Sequence, residues 1–321
     1  MCQKIQLTAR VPDKLESERL DQIAATLFPD YSRARLQQWI KAGDLTVDGN
    51  HQRPRDKLYG GELLAIDTRL EVIDENLPQE IEFGTIFEDD HIIVINKPSG
   101  LVTHPAPGNR DRTLLNGLLY RYPELDMVPR AGIVHRLDRD TSGLMVVARN
   151  IVSQNKLVAQ LQARSVTRLY EAIVYGVIKS SGTIDLPIGR HPVNRKKMSI
   201  RDNGRDAITH YRVLCSFTAH THLAVKLETG RTHQIRVHLA HKRHPLVGDP
   251  VYGGTLKIPA KGSVELKSGL KSLTRQALHA RELELEHPST GERVGWKVDL
   301  PLDMVELLGL LINSDDREQV K

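Results

Sequence analysis

The sequence predicts an α+β protein in two parts. A small helix-and-hairpin module spans about 1–75. After a short linker to about 84, a larger domain over 85–313 carries a mixed, largely antiparallel sheet with flanking helices, and 314–321 is a polar tail. Three observations carry this prediction. The apolar period is helical before the acidic stretch EVIDENLPQEIEFG and alternating or continuous after it. Strand-like runs outnumber helical ones in the second part, and many are separated by turns rather than by full helices, which favours antiparallel pairing.

In the first part, ERLDQIAATLF places Leu20, Ile23, Ala24 and Leu27 on one helical side. Asp30 or Ser32 is a candidate cap for a second helix, SRARLQQWIKAG, whose apolar side carries Leu36, Trp39 and Ile40 and which stops at Gly43. Asp48-Gly49 between short extended runs signals a hairpin. Arg33, Arg35, Lys41, Arg53, Arg55 and Lys57 make the module basic. In the second part the predicted strands are IIVINK, GLMVVAR, YEAIVYG, THYRVLCSF, HLAVKLET and LHARELELEH. The predicted helices are LLNGLLYRY, IVSQNKLVAQLQAR, THQIRVHLAHK and MVELLGLLI. GGTLKIPAKGSVELKSGLKS reads as a surface loop.

With 321 residues and a formal charge of +5, the chain is large enough for a packed core and mildly suited to a polyanionic partner. Cys2 and Cys215 stand far apart in no CxxC arrangement, which excludes a disulfide framework and a thiolate zinc site. The N-terminus lacks the apolar core of a secretory signal, and no run reaches the ~18 apolar residues of a membrane span, so a cytoplasmic location is expected. Neither a phosphate-binding GxxxxGK[ST], a strand-following GxGxxG nor an HExxH is present. His233, His238 and His241 lack acidic neighbours at ligand spacing, so no metal is expected.

The densest polar cluster is AGIVHRLDRDTSGLMVVAR, where a strand-like run ends at Asp138 and turns back into the apolar strand from Leu144. A carboxylate at a rigid strand end between arginines is well placed for catalysis; an ordinary Asp/Thr/Ser/Gly turn has the same composition. A second cluster, LETGRTHQIRVH, joins strand to helix at a glycine, and Arg231 at that junction can meet a carboxylate or lie on a solvated helix start. In TRLYEA, Tyr170 is either a strand aromatic or a surface on which a base can stack.

HRLDRDTSGLMV, preceded by INKPSGLVTHP and followed by RLYEA, LETGRTHQIRVH and HPLVGDPVYGG, closely resembles the large-subunit ribosomal pseudouridine synthases of the RluA/RluC/RluD group over nearly the whole chain. The first module resembles the S4-type RNA-binding domain that several members carry. The resemblance implies that Asp138 is the catalytic aspartate and that Arg136 helps to hold the target nucleotide out of its stack. It further implies that Tyr170 packs on the base and can accept its proton, and that Arg231 is the basic residue paired with the aspartate. Arg139 and Ser142 stand where the group usually has Lys and Thr, preserving charge and hydroxyl. FPDYSRARL and the overall length are most like the members that modify the 23S rRNA stem-loop contacting the small subunit.

The implied reaction breaks the C1′–N1 bond, turns the base and joins C5 to C1′. Nothing is oxidised and no group is donated, so no cofactor is expected. The implied partner is 23S rRNA or a large-subunit particle, and a monomer is the default. Candidate phosphate contacts are Arg33, Arg35 and Lys41 in the first module, then Arg195, Lys196 and Lys197, with Arg201 and Lys242-Arg243 beyond them. Two other readings compete. A non-catalytic RNA-binding or assembly protein would not need Asp138, Tyr170 and Arg231 together. A glycosidase would need an acid partner about 5 Å away, for which Asp140 is the one nearby candidate, and would leave the basic module unexplained.

Overall fold

The computed structural model describes residues 2–29, 31, 33–71, 77–106, 108–254 and 262–319. The chain divides into two compact units, Met1–Asp74 and Glu75–Lys321.

In the first unit, strand β1 (Cys2–Arg10) precedes helices α1 (Leu20–Leu27) and α2 (Arg33–Ala42) and strands β2 (Leu45–Val47) and β3 (Leu63–Glu71). The strands form an antiparallel sheet in the order β1-β3-β2. The apolar helix sides predicted from the sequence close on it, burying Leu20, Ile23, Leu36, Trp39 and Ile40 with Leu45 and Ile66. Gly43 ends α2 with a positive φ of 86°, which costs a glycine little. The Asp48-Gly49 turn forms, with both residues at positive φ. It does not join two neighbouring strands as expected: β2 pairs with the distant β3, and β3 is covered on its other edge by β1, a strand absent from the sequence reading. The expected caps Asp30 and Ser32 lie outside the described residues.

The second unit contains β4 (Gly84–Glu88), β5 (Ile92–Lys97), α3 (Leu114–Arg121), β6 (Ser142–Ala148), α4 (Ile151–Gln162), β7 (Thr167–Tyr175), β8 (Gly182–Asp185), β9 (Ile188–Arg190) and β10 (Met198–Ile200). These are followed by β11 (Ile208–Ser216), β12 (His220–Leu227), α5 (Gln234–His241), α6 (Val264–Ser272), β13 (Leu278–Glu286), β14 (Arg293–Lys297) and α7 (Leu302–Gln319). Among the described residues, nine strands form one sheet in the order β4-β5-β6-β13-β7-β12-β11-β8, with β14 also on β13. Every pairing is antiparallel except β6 with β13, so the sheet is mixed and largely antiparallel, as the sequence predicts.

The continuous apolar runs of β5 and β6 follow from burial on both faces. Ile93, Ile95, Met145 and Val147 pack with the leucines of α3 and with Ile235 and Leu239 of α5. Ile92, Val94, Leu144 and Val146 pack on the opposite side around Leu157 of α4. A third cluster joins α6 and α7 to Ile173 and Tyr175.

Three expectations change. GSVELKSGLKS is not all loop: Ser263 accepts from the Leu266 N–H and starts α6, whose Leu266 and Leu270 are buried. The high Lys/Gly/Ser content hid this short amphipathic helix, and 255–261 of that stretch lie outside the described residues. Helix α7 runs on to Gln319 instead of fraying at 314, because the polar run contains neither Pro nor Gly to stop it. Residues 77–83 are docked rather than free linker: Asn116 of α3 donates from Nδ2 to Leu77 O at 2.9 Å, its backbone carbonyl accepts from Gln79 N at 3.0 Å, and Phe83 enters the core.

Candidate active site

Asp138 does not end a strand. Residues 134–138 are irregular, with a single bridge from Ile133 to Val147, and β6 begins at Ser142. The position is nevertheless fixed, by bonds to the loop's backbone. Thr103 donates to Leu137 O at 3.0 Å, and Gly100 N and the Lys97 ammonium donate to Arg139 O at 3.0 and 2.9 Å. Ser99 reaches Asp140 O at 3.2 Å, and Gln276 donates to Thr141 Oγ1 at 3.0 Å. Thus NKPSGL, the turn after β5, clamps the loop from outside. Lys97 is fully buried and spends its ammonium on three carbonyls, Pro98 O, Leu101 O and Arg139 O. Burial draws its pKa down to about 7, against the opposing charges of Asp138 and Asp140.

The cation on Asp138 is Arg236, not Arg231. Arg236 Nη1 donates to Asp138 Oδ2 at 2.9 Å, while its Nε and Nη2 grip both oxygens of Asp249 at 2.8 and 2.9 Å. Arg231 instead donates from Nε to Asp206 O at 3.0 Å, although it lines the same cavity. The reason is where α5 begins. The ETGRTH segment is a turn folded onto β11 by Gln234, whose amide meets Thr229 Oγ1, Arg231 N, Ile208 O and Thr209 Oγ1. His233 takes the left-handed conformation, φ 57°, and the helix that follows buries Gln234 to Leu239. Arg231 therefore stays in the loop, and Arg236 is the guanidinium that enters the interior. A cation inside the apolar pattern QIRVHLA was the available signal, since a buried charge requires a partner.

That partner explains HPLVGDPVYGG. Asp249 is wholly buried and also accepts from Val251 N and Tyr252 N. The Tyr252 ring lies 5.1 Å from the Arg236 guanidinium. Burial opposes the charge on Arg236, but Asp249 and Asp138 outweigh it, and its pKa lies above the ordinary arginine value. Asp249 is held below the usual carboxylate range: burial acts upward, and the Arg236 fork more than reverses it. His233 completes the ring, with Nδ1 2.8 Å from the Tyr252 hydroxyl and Nε2 4.0 Å from Asp138 Oδ1. That hydroxyl accepts from Met198 N and keeps its own proton to donate to Nδ1 of a neutral imidazole. Burial lowers the His233 pKa, which favours this neutral form.

One cavity is lined by Asp138, Arg136, Tyr170, Arg231 and Arg236, so the structure brings the four sequence-chosen residues together and adds a fifth. Tyr170 sits on β7 between β12 and β13, opposite Val225 and Ala280, and is 6% exposed. Burial raises its pKa, which keeps the resting phenol protonated. Arg136 is exposed at the rim.

The remaining candidates lie elsewhere. Arg33 is held by buried Asp21, with Nη2 to Oδ2 at 2.8 Å, alongside Arg19 and Gln37, so its first role is structural. Arg35 and Lys41 are exposed on α2. Arg195, Lys196 and Lys197 form the β9–β10 loop, whose base is tied to the site through Met198 N and the Tyr252 hydroxyl. His238 is spent on Thr209 and Leu186 O, and among the described residues no group of three or more His, Cys, Asp or Glu side chains could hold a metal ion. Among the same residues, no helix is long and apolar enough to cross a membrane.

Residues 91–241, which contain Asp138, Tyr170 and Arg236, match the RNA pseudouridylate synthase family model. The chain is 59% identical to ribosomal large subunit pseudouridine synthase D of Pseudomonas aeruginosa, covering 99% of both proteins. It is 53% identical to the protein of that name from Xanthomonas campestris over 96% of this chain and 93% of the relative, and 49% identical to that of Escherichia coli K12 over 97% and 96%. The solved structure of human RNA pseudouridylate synthase domain containing 4 covers 71% of this chain and 93% of its own at a TM-score of 0.56 and 28% identity. This chain belongs to the RNA pseudouridylate synthase family.

Proposed function

We propose that the chain isomerises uridine to pseudouridine in 23S ribosomal RNA, within the stem-loop that contacts the small subunit, and that Asp138 is its catalytic group. The observation that carries this reading is the Asp138 carboxylate, facing the same cavity as Tyr170 and gripped from behind by a buried arginine. Attack on C1′ and removal of the 2′ proton both begin from such a carboxylate. Either way the C1′–N1 bond breaks, the retained uracil turns, C5 bonds to C1′, C5 loses its proton and N1 gains one.

Tyr170 provides a flat, protonated wall for the turning base. Arg136 at the rim, with Arg231, offsets the few kcal/mol that flipping a nucleotide costs. The large-subunit RNA follows from the names of full-length relatives that share half or more of this sequence. The first unit acts as an S4-like RNA-binding module through Arg35 and Lys41, and the Arg195–Lys197 loop adds phosphate contacts beside the site. The partner is 23S rRNA or a large-subunit particle in the cytoplasm.

The test maps pseudouridines in 23S rRNA, by carbodiimide or mass spectrometry, from cells lacking this protein. The expected result is loss of specific sites, restored by wild type and not by Asp138→Asn. Restoration by the variant would leave an RNA-binding protein with no catalytic role for Asp138.

A further inference from the structure

Beside the Asp138 cavity lies a second cleft, whose lining includes His104, Arg130, Arg136, Arg164, Arg168 and Arg231. Its one carboxylate, Glu228, is already engaged by Arg164 at 3.2 Å and His210 at 2.6 Å. Arg136, Arg168 and Arg231 line both cavities, so the two are continuous through them.

Arg168 is the residue out of place there. It sits on β7 two positions before Tyr170, and it is 7% exposed. Its Nη2 donates to the backbone oxygen of Glu228 at 3.1 Å, and its buried Nε has no partner. No carboxylate pairs with it among the described residues. The contrast with Arg236 is direct: that buried guanidinium has two carboxylates, and Arg168 has none. A buried, unpaired cation is expensive, and it persists where a ligand supplies the missing anion. Gly230 leaves the space this requires, since a Cβ there would stand 2.8 Å from Arg168 Nη1.

We propose that Arg168 binds a phosphodiester flanking the target uridine, its free donors meeting phosphate oxygens at the junction of the two cavities. The proposal rests on the reading of this chain as a uridine-isomerising enzyme acting on RNA. A planar guanidinium suits that role, because its parallel N–H groups match two phosphate oxygens as a single ammonium does not. The strand that places Tyr170 against the base thereby also places the cation against the backbone of the same nucleotide. Base and phosphate are read from one rigid element.

The experiment is a cycle between protein and RNA. Full-length wild type and Arg168→Met are each titrated against a 23S stem-loop transcript, and against the same RNA with one flanking linkage at a time replaced by a neutral methylphosphonate. With wild type, one linkage is expected to weaken binding about tenfold when neutralised, the size of a charge-assisted hydrogen bond. With Arg168→Met, that same replacement is expected to cost nothing further, and the slope of log affinity against log salt is expected to fall by roughly 0.7 to 0.9, one phosphate's worth. Gly230→Ala, which crowds the guanidinium without removing its charge, is expected to blunt sensitivity to the same linkage. If the two losses multiply at both linkages, Arg168 does not touch a flanking phosphate and the proposal is overturned. The wild-type arm needs no mutant to fold: indifference to both neutral linkages also overturns it. If wild type binds but forms no pseudouridine on the unmodified transcript, the enzymatic reading fails instead, so the two failures are distinguishable.

Discussion

At the scale of single residues, the site is a chain of three charges, Asp249–Arg236–Asp138, with Tyr252 and His233 packed beside it. Its inner part is buried, so truncation of the middle member leaves Asp249 an uncompensated charge in the interior. Arg236→Gln is therefore expected to destabilise the fold by about 3 kcal/mol and to lower kcat, as read by urea denaturation and single-turnover assays. Arg231→Ala is expected to leave stability unchanged and to act on KM more than on kcat, because its guanidinium reaches Asp206 O and not Asp138. Equal losses of kcat in the two variants would contradict the assignment of the cation. Asp138 and Tyr170 stood out through the resemblance of HRLDRDTSGLMV and RLYEA to the synthases, since their local sequence alone reads equally as a turn and a strand aromatic. The partner of Asp138 did not, because Arg231 and Arg236 stand five residues apart in one motif and only the start of α5 separates loop from helix. Asp249 was hidden in the same way: in GDP it reads as a turn residue, and its fork-to-fork contact crosses thirteen residues.

At the scale of elements, the Asp138 loop precedes β6, and its backbone carbonyls accept from the side chains of Lys97, Ser99 and Thr103. This is why NKPSGL matters without touching the cavity. The single parallel pairing of the sheet, β6 with β13, begins where that loop ends, with Ser142 opposite His279 and Gly143 opposite Ala280. Gly143 has a φ of 116°, and a Cβ there would come within 2.3 Å of Ala280 O. Gly143→Ala is thus expected to cost on the order of 2–3 kcal/mol through strain and lost register and to shift the loop, giving a lower thermal midpoint together with lower activity. Retention of both would show that the close approach is not required. Most strands of the second unit were legible because burial on both faces leaves long apolar runs. Strand β1 and helix α6 were not: KIQLTAR alternates weakly, and α6 buries only a narrow stripe within a Lys-rich segment.

At the scale of the whole molecule, the second unit keeps several histidines neutral in its interior. Burial, with Arg136 and Arg130 nearby, lowers His104 to about 4. Burial likewise lowers His135 to about 3 and His279 to about 4. Each folded value lies below the unfolded one, near 6.5, so the unfolded chain binds these protons first. Their contribution to stability is full above that unfolded value and is lost as pH falls toward the folded values. About 1 kcal/mol per histidine is expected to be gone by pH ~5.5, seen as a falling urea midpoint between pH 7 and 5. A flat midpoint over that range would mean that these imidazoles bind protons as readily in the fold as in the unfolded chain. Two parts were read from the acidic stretch EVIDENLPQEIEFG and the change of period after it, and the chain divides at Asp74–Glu75. What the sequence hid is that residues 77–83, which look like linker, are bound to α3 through Asn116.

In the proposed function Asp138, fixed by the NKPSGL turn and paired with Arg236, starts the isomerisation. The most direct measurement is tritium release from a 23S stem-loop transcript carrying [5-³H]uridine, under single-turnover conditions with enzyme in excess. Wild type is expected to release label from defined uridines. Asp138→Asn is expected to bind the same RNA with similar affinity and to release none. Release by the variant at the wild-type rate would contradict the account.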